Sequence, residues 1–256
     1  EETISQTGFV RKWYEVIKSA TGSGLVSRMF ATGVSPLTLD GLTSGFNISK
    51  NKSMDVRFNE CLGFTEEEVK SVLEQSLGKS IDIEKEMPVL KKYYNGYLFS
   101  ENGKRRIFNS DMILYYASEY SGSGLPPKQL IDNNIASDYM KLAMLFYLKN
   151  KEQNLAVLKE ITEGKTQNTV ITSEFSLSKR FHRDDFTSLL FYLGFLTIEK
   201  SRPTSLDLNV PNYVIKELYF DFFGELLKKE ADYDIDVSKI RQAIEKNAIE
   251  GELKDF

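Results

Sequence analysis

Apolar residues recur at helical spacing along most of this chain. Phe9, Trp13, Val16, Ile17 and Ala20 share one face and predict a first helix over about Ile4 to Ala20. Thr21-Gly22-Ser23-Gly24 ends it. The pattern then changes. Leu25 to Ala31 reads as one buried strand that runs into the small, polar turn Thr32-Gly33-Val34-Ser35-Pro36. A strand buried on both faces belongs to a parallel sheet covered by helices, and ligands of such sheets sit beyond the carboxyl ends of the strands. Few other segments read as strands that would complete that sheet. Helix, short loop and strand make half of a right-handed α/β crossover, so the pattern predicts the back end of a larger α/β protein.

Further along, Thr65 and Glu68 form a capping box, with Phe64 and Val69 as its hydrophobic staple. Val69, Val72 and Leu73 give the buried face of that helix. A second helix is predicted from about Pro88 to Tyr94, with Pro88 in its first turn and Asn95-Gly96 as its stop. Tyr97-Leu98-Phe99 and Arg105 to Phe108 predict a hairpin around Glu101-Asn102-Gly103-Lys104. Asn109 or Ser110 caps a helix bearing Met112, Ile113, Tyr116 and Ala117. Gly122 to Pro127 is the best linker candidate, and helices are predicted at 127–133, 135–149 and 151–162. Asp184 or Asp185 then caps a helix with Phe186, Leu189, Leu190 and Leu193 on one face, ended by Gly194. Phe195 to Ile198 and Ser205 to Val210 follow as strands around a turn at Ser201 to Thr204. Helix, strand, turn, strand is the order of a winged helix. Pro211-Asn212 opens a long amphipathic helix, and an acidic stretch with a final helix begins near Ala231.

Composition narrows the chemistry. The 256 residues carry a net charge of −4, which implies no general attraction to nucleic acid or anionic membranes. No apolar run approaches the ~20 residues of a membrane span. One cysteine, Cys61, and one histidine, His182, exclude an internal disulfide and a Cys/His zinc site, and fit a reducing cytoplasm. Cys61 is expected to be partly buried and His182 exposed. A chain beginning at Glu1 fits a processed or truncated product.

Gly78-Lys79-Ser80 and Gly164-Lys165-Thr166 end like phosphate-binding loops. The first glycine of that motif is replaced by Leu73 or Lys159, and each fragment follows a predicted helix, so both read as helix-ending turns. Glu252-Leu253-Lys254 has the E-x-K spacing of a metal-dependent nuclease but reads as helix. Asp232, Asp234 and Asp236 lack the glycine and glutamate of a calcium loop and read as a solvated linker. Thr32 and Ser35, at the end of the predicted strand, carry hydroxyls that can touch a phosphate or attacking water, or else bond the turn at Pro36. Lys179, Arg180 and Arg183, beside Phe181 and His182, form a short basic–aromatic cluster that can meet a nucleic-acid backbone or serve as a solvated helix entry.

Several segments, in order, resemble the AAA-ATPase-like family of bacterial P-loop proteins. They are Arg28 to Pro36, Leu42 to Ile48, Arg57-Phe58-Asn59, Leu62 to Val69, Tyr94 to Phe99, Phe108-Asn109-Ser110, Tyr192 to Thr197 and Val210-Pro211-Asn212. The resemblance implies that Thr32 to Ser35 face the γ-phosphate as a sensor and that the helices and winged-helix region form a lid behind the nucleotide. It implies a parent protein using ATP and Mg²⁺, with the phosphate loop and acidic motif before Glu1 and often a PD-(D/E)XK nuclease-like domain after Phe256.

The expected fold is therefore mostly α, with a remnant of an α/β P-loop NTPase core (1–48), a helical lid with a short hairpin (49–150), a winged-helix-like region (151–230) and a linker with a terminal helix (231–256). The expected function is the sensor and lid of a cytoplasmic AAA-like ATPase, inactive alone because phosphoryl transfer needs the phosphate cradle and metal ligands. Its expected partners are the NTPase core, the nuclease-like domain, DNA, or further copies of the chain. The alternative is a non-enzymatic helical and winged-helix module that binds DNA or protein.

Overall fold

The computed structural model describes residues 9–33, 50–131, 136–147, 150–173, 175 and 181–231. Among these, helices dominate. They are α1 (Phe9–Gly22), α2 (Glu66–Leu77), α3 (Ile83–Tyr94), α4 (Ser110–Ser123), α5 (Ala136–Phe146), α6 (Lys151–Thr162), α7 (Arg183–Tyr192) and α8 (Tyr213–Ala231). One small antiparallel sheet contains β1 (Gln167–Thr169), β2 (Thr197–Ser201) and β3 (Leu206–Asn209), in the order β1-β3-β2.

Local chemistry explains most boundaries. Thr65 caps α2 by accepting from the Glu68 N–H, and the Glu68 carboxylate accepts from the Thr65 N–H at 2.8 Å. Three glutamates in the first turn add to this by meeting the positive end of the helix dipole. Asn109 caps α4 through the Met112 N–H. The α3 helix starts earlier than its proline suggests, because Asp82 accepts from the Lys85 N–H and fixes the start at Ile83. Pro88 therefore lies inside the helix rather than in its first turn. At α7 the cap position is His182, whose N–H donates to Asp185 at 2.7 Å; Asp185 supports the cap from within the helix.

Two apolar cores result. The first gathers α5 to α8 and the sheet, with Phe146, Phe186, Leu190, Leu208 and Tyr219 almost wholly buried. The second gathers α2, α3 and α4 around Leu73, Leu90, Tyr94 and Tyr116. Tyr116 satisfies its hydroxyl by donating to Glu86, and Tyr94 by donating to the Leu130 carbonyl. Leu130 and Ile131 pack against this second core, so the chain after the Gly124 helix end stays attached to it.

Several expectations need correction. The run Leu25 to Ala31 is not a strand. It is irregular, with Leu25 85% and Phe30 76% exposed, and its aromatic contact is Phe30 against Phe58 at 6.0 Å. An apolar run has the same composition whether or not a sheet covers it, and no described strand lies beside this one. The α/β core remnant is thus not formed among the described residues. The expected hairpin reduces to one isolated antiparallel pair, Tyr97 with Ile107, while Phe108 pairs instead with Phe64. No helix forms over 127–131, where Pro126 and Pro127 stand at the entry. Cys61 is exposed. The Gly78 and Gly164 fragments do end helices, with φ of +58° and +75°. Glu252, Lys254 and the three aspartates from Asp232 lie outside the described residues.

A candidate functional site at the junction of two cores

Segments distant in sequence meet where the two cores touch. The turn Asn95-Gly96 ends α3, and Gly96 takes a φ of +115°. The Asn95 side chain accepts from the Gly96 N–H, and the Asn95 carbonyl accepts from Asn212 Nδ2 at 3.0 Å. Thr197 Oγ1 accepts from the Leu98 N–H at 2.8 Å and donates to the Gly96 carbonyl at 3.1 Å. The Arg106 guanidinium spans the same point, donating to the carbonyls of Gly96 at 2.7 Å and Ile198 at 2.9 Å. Burial pulls the Arg106 pKa down, and Glu199 opposes that shift. Main-chain pairs between Tyr97 and Ile107, and between Asn109 and Tyr94, complete the knot.

Asn59 anchors the outer loop. It is 2% exposed and uses both ends of its amide. Its Oδ1 accepts from the Phe99 and Ser100 N–H groups at 3.0 and 3.1 Å, and its Nδ2 donates to the Arg105 carbonyl at 3.0 Å. A short polar side chain thus replaces the strand partner that this loop lacks.

A cleft of about 220 Å³ opens beside the knot. Tyr97, Phe99, Tyr192 and Leu193 contribute apolar wall, and Ser110 and Asp111 stand at the start of α4. Burial pushes the Tyr192 hydroxyl up to about 12. Neither histidine nor lysine lines the cleft. Its polar side chains are those of Asn109, Ser110, Asp111 and the two tyrosines. Among the described residues no group of three or more His, Cys, Asp or Glu is placed to hold a metal ion, and no helix is long and apolar enough to cross a membrane.

The sequence-derived site residues do not gather here. Thr32 is exposed on the irregular segment after α1. Ser35, Lys179 and Arg180 lie outside the described residues. Arg183 opens α7, where its guanidinium donates to Glu160 at 2.7 Å and to Gln167 at 2.5 Å. A nucleic-acid phosphate would have to compete with both. The helix itself has little to offer a groove. Phe186 to Phe191 are six consecutive buried residues, Ser188 accepts from the Thr172 N–H, and Thr187 accepts from Thr169.

Thr197, Arg106 and Asn212 escaped the sequence reading as functional positions. Their visible signals were the Asn-Gly pair at 95–96 and the Val-Pro-Asn run at 210–212. Comparison of the chain with protein-family models, with curated proteins and with solved structures returns no match.

Proposed function

We propose that this chain is the sensor-and-lid part of a bacterial AAA-like ATPase. The parent would bind ATP and Mg²⁺ through a phosphate loop and acidic motif outside this sequence. One observation carries the reading: Asn59, Tyr94 to Phe99, Phe108, Asn109, Thr197 and Asn212, all within segments that carry the family resemblance, belong to one hydrogen-bonded neighbourhood.

Two further features support it. The order helix α6, strand β1, helix α7, strands β2 and β3, with sheet order β1-β3-β2, is compatible with a winged-helix-like region. The exposed Leu25, Met29 and Phe30 form an apolar run of the kind that a sheet from an NTPase core would cover. In that arrangement Thr32 and Ser35 would follow the covered run and face the nucleotide.

The test is the source DNA on the 5′ side of the Glu1 codon. A strand followed by G-x-x-x-x-G-K-[ST] would support the reading, and a start codon directly before Glu1 would overturn it. The chain alone should show no melting shift with ATP and Mg²⁺. A clear shift would count against the lid assignment.

A further inference from the structure

Adjacent residues at the junction serve different cores. Ile107 packs into the first core and Phe108 into the second. On α8 the same division falls between Val214, in the second core, and Ile215, in the first. An extended segment turns successive side chains to opposite faces, and a helix turns them by about 100°. Neither pair can keep both side chains buried if the cores separate.

The polar contacts cross the same boundary. Tyr94 belongs to the second core, and the turn that follows it is bonded to Thr197, the first residue of β2, and to Asn212, just before α8. Arg106 joins that turn to β2 through two carbonyls. The Ser201 hydroxyl adds an outer contact to Glu101 at 2.8 Å. Gly96 closes the gap, since its lack of a side chain lets the Pro211 carbonyl approach.

We infer that this knot is a rigid coupling: the helical unit α2–α4 and the sheet-bearing unit α5–α8 open and move as one body. The inference goes beyond the functional reading, because it applies equally to an ATPase lid and to a binding module. The device is the set of groups Gly96, Leu98, Arg106, Thr197 and Asn212. Thr197 is a positioning residue whose hydroxyl reads both sides of the Gly96–Leu98 segment.

Native-state hydrogen exchange on the full 256-residue chain tests this. In one cooperative unit, the most protected amides of α2 and α3 should match those of α7 and β3 within about threefold, with the same urea dependence. Thr197→Val combined with Asn212→Ala should separate the two sets by roughly tenfold or more, whereas Thr197→Ser alone should leave them together. Separate protection in the unaltered chain would overturn the inference. So would coincident protection in the double variant. If the double variant does not fold, the unaltered chain still decides: coincident protection supports the coupling and distinct protection refutes it.

Discussion

Gly96 faces the carbonyl of Pro211 so closely that a Cβ at position 96 would lie 2.0 Å from that oxygen. The obstacle is backbone, which cannot swing aside as a flexible side chain can. The φ of +115° adds a conformation that L residues rarely adopt. Gly96→Ala should therefore destabilise the protein by roughly 3 kcal/mol or more. Urea unfolding followed by circular dichroism measures it. A loss below about 1 kcal/mol would mean that the Pro211 approach is not tight in solution.

Asn59 presents a different kind of dependence. Removing its amide strands two N–H donors and one carbonyl in a loop with few alternatives. Asn59→Ala should cost about 2–4 kcal/mol, since an unpaired buried polar group loses its full solvation. Asn59→Asp keeps the acceptor but removes the donor to Arg105, and should fall between the two. Equal stabilities for all three proteins in denaturant titrations would contradict this account.

The α2 cap is a smaller, local effect. Thr65→Ala removes one half of a reciprocal pair and should lower stability by about 1 kcal/mol. Thr65→Ser should recover most of it. A thermal melt of the three proteins in one buffer is sufficient.

These three sites were not equally legible. The Thr65–Glu68 cap and the Asn109 cap could be read because both lie within four residues of their partners. So could the buried face of α7 and the turn between β2 and β3. Leu25 to Ala31 misled because hydrophobicity records a preference for burial, not the presence of something to bury it. Pro88 misled because Asp82, six residues earlier, sets the helix start. Strand β1 is too short and polar to show a period. Asn59 and Thr197 depend on partners about 40 and 100 residues away, beyond any local pattern.

The Arg202–Asp207 pair predicts an acid-side dependence. Hydrogen bonds from Arg202 and Asn168 hold the Asp207 carboxyl below its ordinary range. A depressed folded value stabilises the native state above the unfolded pKa of about 3.9 and loses that contribution as pH falls through the folded value. Asp207→Asn should therefore be less stable than the parent at neutral pH, with the difference shrinking below about pH 4. Melting temperatures across pH 2.5 to 7, roughly spanning that window, would show a constant difference if the pair contributed nothing.

Tyr192 predicts the opposite, alkaline arm. Burial raises its folded value to about 12, above an ordinary value of 10.0, so its contribution is complete below the unfolded pKa and is lost as pH rises through the folded one. Tyrosinate absorbance should show Tyr192 among the late-titrating groups, and Tyr192→Phe should remove one late step. A Tyr192 that ionised with the exposed tyrosines would show that its wall of the cleft is open to water.

The first helix has a practical consequence for every one of these measurements. Trp13 is the single tryptophan of the chain, and it is 48% exposed on α1. None of the described helices or strands packs extensively against α1. Tryptophan emission will therefore follow the surroundings of that helix rather than the interior of either core. A blue shift on adding a second protein, with the tyrosine signal unchanged, would mark a change in the surroundings of Trp13 that leaves both cores as they were.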